Sequence, residues 1–343
     1  MNKPRIAIDA MGGDHAPEET VAGALLAARE YPDASLILYG DEARVRALLR
    51  GPGSDRITVV HSPEAVPMDQ HASQALRAAD RTSLGMAVNA MKAGDADAVV
   101  SAGNSGAFLA ISLIKLRTIE GIARPAIATV WPAINGPTVL LDSGANVDCR
   151  PEWLEQFGIM GSAYATAVLG IDKPKVALLS VGEERTKGNS LVLEAATLLE
   201  RAPVNFIGNI EGKDMFHNAA DVVVTDGFVG NVLLKTAEGM VSAMGVVIKE
   251  TLLRRNILNL LGTALLAPSL RGLRRRFDYE TYGGAPLLGV RGNCIYTHGR
   301  VSRRGFKHAI ASAITEVEHD VVGRIGELVT PHLTRETPSE ESA

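Results

Sequence analysis

Five stretches of small and polar residues hold most of the side chains able to do chemistry in this chain of 343 residues. They are Asp9-Ala10-Met11-Gly12-Gly13-Asp14-His15, Ser101-Ala102-Gly103-Asn104-Ser105-Gly106, Asp142-Ser143-Gly144-Ala145-Asn146-Val147-Asp148, Gly182-Glu183-Glu184-Arg185-Thr186-Lys187-Gly188-Asn189 and Thr225-Asp226-Gly227-Phe228-Val229-Gly230-Asn231. Each follows a short apolar run and leads into a helical pattern. Glycine lets a backbone come close to a ligand, and unpaired N–H groups at a helix start favour an anion. Lys187, Arg185, His15, Asn104 and Asn231 add charge or hydrogen bonds. The chemistry this fits is the seating of an anion. None of the five is a GxGxxG or a GxxxxGK[ST] loop, so neither a dinucleotide nor a nucleoside triphosphate is indicated. One such turn alone is as well explained by the turn preferences of Gly and Asn. Five of them point to a ligand-binding edge, because an α/β fold brings strand ends together.

Other reactive residues take plainer readings. Cys149 is in the right place for an acylated nucleophile, but a small buried filler is the preferred role. Asp9, Asp142, Asp148 and Asp226 resemble a magnesium cluster on paper. Asp at strand ends also bonds turn N–H groups and caps helices, and with Arg185 and Lys187 nearby that role is preferred, so no metal is expected. His298 and His308 are read as surface or packing residues.

The elements that position these turns are legible as apolar runs closed by Gly, Asp or Asn. Strands are expected at 5–11, 35–40, 56–62, 97–103, 126–131, 138–144, 175–182, 204–210, 221–227 and 293–299. Most are apolar throughout, the mark of strands buried on both faces. Helices are expected at about 17–30, 42–50, 73–93, 104–117, 152–170, 190–201, 230–255 and 302–323, with Ser190 as an N-cap and Pro17 in a first turn. Asn135-Gly136 between two strand patterns reads as a hairpin, an antiparallel pair inside an otherwise parallel sheet. The expected fold is α/β, a doubly wound, mixed but mostly parallel sheet. It forms a single catalytic domain over 1–330, with a disordered tail over 331–343. No linker divides the chain, so a second lobe would be interleaved. Ligands in such folds lie beyond the carboxyl ends of the strands.

Composition excludes several classes. The apolar fraction is 46%, the charged fraction 22% and the net charge -4, which is ordinary for a globular chain. Two cysteines make neither a disulfide framework nor a zinc site, and no signal peptide is read, so a cytoplasmic location is expected. Nucleic acid is a poor partner for a net acidic chain without a binding module. The segment at about 252–277 is the exception. It carries Leu260, Leu261, Leu265 and Leu266 between Arg254, Arg255, Arg271, Arg274, Arg275 and Arg276. Its uncharged stretch of about 15 residues is short of the roughly 20 that cross a bilayer. It reads as either a core or interface helix pair, or a protruding contact for anionic lipid and an acyl chain.

Six long motifs, in order, resemble a known family: IAIDAMGGDHAP (6–17), SAGNSGA (101–107), LLDSGANVDCRPEWLEQFGIMG (140–161), LLSVGEERTKGN (178–189), VVVTDGFVGNVLLKTAEG (222–239) and YGGAPLLGVRG (282–292). They are similar to the bacterial acyl-[acyl-carrier-protein]:phosphate acyltransferases of the PlsX type, over about residues 4–325. The resemblance implies a fold like that of phosphate acetyltransferases and of isocitrate and isopropylmalate dehydrogenases. It implies a homodimer that needs no metal or nucleotide cofactor and turns acyl carrier protein thioesters and inorganic phosphate into acyl phosphates at the start of phospholipid synthesis. Peripheral contact with anionic membrane, and with a membrane glycerol-3-phosphate acyltransferase, also follows. Phosphate is already an anion and a thiolate leaves readily, so the site needs donors more than a base. Lys187 is the first choice for the phosphate cation. Asn231 and Asn104 would orient phosphate or carbonyl, and His15 would bind phosphate or protonate the thiolate. Gly12, Gly13, Asp14, Ser105, Gly106, Asn146, Arg185, Gly188, Asn189, Gly227 and Gly230 would complete the substrate contacts. Two other readings stay open: a metal-dependent decarboxylating dehydrogenase, which needs a dinucleotide pocket, and a membrane-surface adaptor, which leaves the five turns without a role.

Overall fold

A computed structural model describes residues 3–252, 268, 272 and 283–336. The expected strands form, but they divide between two sheets. The first has seven strands: β1 (Arg5–Asp9), β2 (Ser35–Gly40), β3 (Ile57–His61), β4 (Ala98–Ser101), β5 (Ala126–Ile127), β11 (Ala285–Leu288) and β12 (Asn293–Tyr296). Their order is β3-β2-β1-β4-β12-β11-β5, with only β11 reversed against its neighbours. The second sheet has β6 (Thr129–Ala133), β7 (Gly136–Leu141), β8 (Lys175–Leu179), β9 (Asn205–Ile210) and β10 (Val222–Val224), in the order β6-β7-β10-β8-β9. There β6 and β7 are the expected hairpin, pairing Ala133 with Gly136, and the rest are parallel. The single doubly wound sheet expected from sequence is therefore two mostly parallel sheets, the second inserted between β5 and β11.

Helices cover both faces of each sheet, as uniformly apolar strands require. Helices α1 (Glu18–Glu30) and α9 (Arg303–Glu318) bury one face of the first sheet around Ile6, Leu38, Phe306 and Ile310. The other face holds α4 (Ser83–Ala93) and α5 (Ser105–Leu116), packed around Val99, Phe108 and Ile111. The 19-residue α6 (Pro151–Leu169) starts with Pro151 in its first turn and stops at left-handed Gly170, as such residues favour. It lies against the second sheet with α7 (Ser190–Leu199) and α10 (Val321–Glu336). Two short helices, α2 (Glu42–Leu48) and α3 (Ala72–Arg77), complete the first lobe. The long α8 (Gly227–Leu252) covers the remaining face of the second sheet only through its first turns, where Leu233, Leu234 and Ala237 join the core.

Several local expectations change: the helix read over 73–93 is two, α3 and α4, and Pro17 is the N-cap of α1, whose first turn starts at Glu18. The N-cap of α7 is Asn189, whose side chain accepts the Val192 N–H at 3.0 Å, so Ser190 is the first helical residue. The helix read over 302–323 breaks at His319 and Asp320, where Asp320 takes φ 47. The chain then stays helical to Glu336, so residues 331–336 of the expected disordered tail are the end of α10.

Candidate active site

The carboxyl ends of the two sheets meet where the chain crosses between them. Ala128 donates to Pro286 O at 2.9 Å on the first sheet, and the next residue, Thr129, pairs with Leu140 on the second. Across that crossing Ser143 N donates to Ile127 O at 2.9 Å. All five turns follow strands that end on this edge. Two of them, 9–15 and 101–106, belong to the first sheet, and three, 142–148, 182–189 and 225–231, to the second.

Asp9 organises the first group. It is 2% exposed, and accepts the Ser83 hydroxyl at 2.6 Å, the Ser101 hydroxyl at 2.7 Å and the Met11 N–H at 3.3 Å. Burial pushes its carboxyl above the usual range, against the pull of these donors. It thereby ties the end of β1 to the end of β4 and the start of α4. Gly12 has to be glycine, because any side chain there would run into the Asp9 carboxylate and lie 2.8 Å from Gly103 N. Asn104 is committed inside the chain: its Oδ1 caps α5 on Ala107 N at 2.9 Å. Its Nδ2 donates to Met68 O at 2.8 Å and Gln70 O at 2.9 Å. It holds the 67–70 loop in place and has no donor left for a substrate. His15, Asp14, Ser105 and Gly106 are exposed on this rim, with Gly13 half-buried beside them.

A third turn belongs to this group and was not among the five. Residues 297–300 follow β12, and Gly299 O accepts the Asp14 N–H at 2.7 Å while Arg300 lies 3.3 Å from the Asp14 carboxylate. The sequence offered its signal in Thr297-His298-Gly299, a strand closed by a small polar turn.

Asp142 organises the second group. It is fully buried and takes N–H groups from Ile127 at 3.1 Å, Gly144 and Ala145 at 3.0 Å and Asn146 at 2.7 Å, with the Asn146 amide at 2.9 Å. Burial raises its carboxyl as well, opposed by the hydrogen bonds from Ala145, Gly144 and Asn146. The Asn146 amide also reaches Pro125 O at 2.8 Å, so Asn146 shapes the turn and is spent there. Helix α8 starts on top: Gly227 N donates to Asn146 O at 2.7 Å, and Asp226 caps the helix through Val229 N at 2.9 Å. A side chain at Gly230 would collide with the Asp142 carbonyl oxygen, while one at Gly144 would lie 3.6 Å from Asn231 Cβ. Asn231 thus stands exposed above the Asp142 turn, with Phe228 60% exposed beside it.

The 182–189 turn is built differently. Lys187 is exposed, and a side chain at Gly182 would touch its Cγ at 3.0 Å. Arg185 is turned away onto Glu200 at 2.6 Å, an exposed pair, so its placement among the substrate contacts is not supported by its geometry. Beneath the turn Asn209, missed by sequence reasoning, donates to Glu184 O at 3.1 Å and Lys187 O at 3.2 Å. Its Oδ1 and the Ser180 hydroxyl are buried without partners among the described residues.

Cys149 is half-buried, bonds Asn146 O at 3.5 Å, and burial pushes its thiol up to about 12, which keeps it protonated. The four aspartates weighed as a metal cluster are split, Asp9 at one sheet and Asp142, Asp148 and Asp226 at the other. No metal-holding group of three His, Cys, Asp or Glu occurs among the described residues. Leu260, Leu261, Leu265 and Leu266 lie outside the described residues. The apolar character announced there does reach into α8, whose Met240, Val241, Met244, Val246 and Val247 are about half exposed. Gly227–Ile248 of α8 is long and apolar enough to cross a membrane by length and composition. A cleft of about 690 Å³, lined by Thr166, Lys173, Asn205 and Arg324 among others, opens at the amino ends of β8 and β9, the edge opposite these turns.

Against known proteins, the profile of the fatty acid synthesis protein family matches residues 4–324. A phosphate acyltransferase of Pelotomaculum thermopropionicum is 49% identical over 316 residues, 92% of each chain. One from Nitratiruptor is 42% identical over 331 residues, 95% of this chain and 99% of its own. In structure, a phosphotransacetylase from Streptococcus pyogenes superposes with a TM-score of 0.63 at 18% identity, covering 93% of this chain and 95% of its own. The EutD phosphotransacetylase from Staphylococcus aureus gives 0.57 at 16% identity, covering 92% and 94%. These likenesses agree with the α/β class and the phosphate acetyltransferase-like fold expected from sequence.

Proposed function

The chain belongs to the fatty acid synthesis protein family, whose curated relatives are phosphate acyltransferases, and from that premise we propose that it moves a long-chain acyl group from acyl carrier protein to inorganic phosphate. A phosphate oxygen bonds to the thioester carbonyl carbon, the C–S bond breaks, and the departing thiolate takes a proton. The observation that carries this reading is the shared edge at residues 127–129, which joins a Gly- and Asn-rich rim on each sheet. On the second sheet Lys187 provides an exposed cation and Asn231 an exposed amide above the N-terminus of α8, a favourable place for an anion. On the first, His15 is exposed and serves the leaving thiolate. Phosphate needs no strong base to attack, so seating and oxyanion stabilisation account for the catalysis.

The test is to incubate the chain with long-chain acyl carrier protein and phosphate, then trap with hydroxylamine. Phosphate-dependent acyl hydroxamate is the expected product, and none above a no-enzyme control overturns the reading. In this reading the enzyme works in the cytoplasm as a homodimer, its product passing to a membrane glycerol-3-phosphate acyltransferase in phospholipid synthesis. The exposed apolar side chains of α8 support a covered face, and the Arg-flanked 252–277 segment supports contact with anionic lipid and with an acidic carrier protein. Charged replacements of Leu260 and Leu261 are expected to release the protein from anionic vesicles; unchanged flotation sinks the lipid contact.

A further inference from the structure

His298 looks, in sequence, like a surface or packing residue, but its turn is wired into the first-sheet rim. Thr297 N donates to Ser101 O at 2.9 Å, which sets the turn beside the 101–106 turn. Gly299 O receives the Asp14 N–H at 2.7 Å, which sets it beside Gly13 and His15. Val301 N closes the turn on His298 O at 2.9 Å. Between these anchors the His298 ring is exposed.

The ring is also fixed chemically. Its Nδ1 accepts the Arg300 backbone N–H at 3.2 Å. A ring nitrogen that accepts cannot carry the proton of the neutral imidazole, so the proton must sit on Nε2. The neutral side chain is therefore a preset N–H donor at the strand-end edge. No such bond fixes the His15 ring among the described residues. A donor held in place before the reaction is what a developing oxyanion rewards, because nothing has to reorient as charge appears.

We propose that His298 is a further catalytic residue of the acyl transfer, its Nε2–H donating to the thioester oxygen as phosphate adds to the carbonyl carbon. This rests on the phosphate acyltransferase reading above. The step moves no extra atoms: negative charge grows on the oxygen, the hydrogen bond strengthens, and the charge leaves with the thiolate sulfur when the C–S bond breaks.

The two ring nitrogens can be tested separately. Asparagine places an acceptor near Nδ1 and has nothing at Nε2, whereas glutamine places an N–H near Nε2 and leaves Nδ1 unfilled. His298→Ala and His298→Asn are expected to lose roughly 100-fold in kcat, the usual effect of deleting one oxyanion donor. His298→Gln is expected to keep most of the wild-type kcat, with thermal midpoints alike across the set. Recovery by asparagine and not glutamine would mean that the ring only holds the turn, and would overturn the proposal. Equal loss in all three variants, or no loss in any, would overturn it too. Wild-type protein that makes no acyl hydroxamate would instead overturn the acyl-transfer reading itself.

Discussion

The turns after β7 and β8 flank β10 on the same edge of the same sheet, yet they are held in opposite ways. The Asp142 turn is gripped from inside by five N–H donors on one buried carboxylate. The Lys187 turn is exposed almost throughout and rests on the amide of Asn209 alone among side chains from other elements within bonding reach of its carbonyls, in the described residues. The difference separates two tasks. A fixed turn presents backbone groups and the start of α8 in one geometry, while in the acyl-transfer reading proposed above the lightly held turn carries the cation that would close on phosphate and let it go.

The largest expected effect falls on the fixed turn. Asp142→Ala removes the buried acceptor of five part-buried donors and should cost about 3–5 kcal/mol of stability, read as a lower urea midpoint. A loss under about 1 kcal/mol would mean the turn does not depend on its carboxylate. Next comes the cation. Lys187→Ala should raise the phosphate KM by roughly 10- to 100-fold, the worth of a charge-assisted hydrogen bond, with the urea midpoint unchanged; an unaltered KM would remove phosphate from this turn. Asn209→Asp replaces two donated N–H groups with an acceptor facing two carbonyls. It should shift the phosphate KM by about tenfold while the KM for the acyl carrier substrate stays put, and equal shifts in both would make Asn209 a general scaffold.

Glu316 supplies the contrast for Asp142: a fully buried carboxyl on α9 whose Oε1 has no partner among the described residues. Burial without donors pushes it well above the ordinary carboxylate range. A raised folded value means that its stabilising share is intact below the unfolded value, about 4.3. That share is lost as pH climbs through the folded one. Glu316→Gln should flatten that decline in unfolding free energy from about pH 5 upward. Identical pH profiles for the two proteins would show the carboxyl already paired. The smallest effect is expected at Cys149→Ser, whose kcat should match wild type because a thiol raised to about 12 supplies no nucleophile; a lost burst of acyl-enzyme would reverse that.

Uniform apolar runs made the strands legible, because burial on both faces leaves no alternation to misread. The division into two sheets was hidden because AIATVW is one hydrophobic run whose partners change at Ala128, and partner choice is tertiary. Strand β11 escaped notice as four residues with a proline behind two glycines. The helical end of α10 escaped because its polar composition resembles a tail, while Val321, Ile325 and Val329 supply the buried stripe that orders it. At the site, the Gly- and Asp-rich turns do gather on one strand-end edge. They did not separate side chains aimed at a ligand from those spent on the fold, and Asn104, Asn146, Asn189 and Arg185 proved to be engaged within the chain. Ser83 and Asn209 carry no local signal, since each acts on a turn distant in sequence.

The insertion of the second sheet also sets an order in time. Strand β4 finds its neighbour β12 only across most of the molecule, as the Asn293–Asp97 bond with its sequence separation of 196 records. A ribosome releases the strands of the second sheet, residues 129–224, well before β12. That sheet can pair early, while β4 waits with one edge open. Closing so long a loop is slow, and an open parallel edge invites pairing with another nascent chain. The vulnerable moment for this enzyme is therefore late in synthesis, when the β11–β12 pair has to slide between β4 and β5, which are already in place.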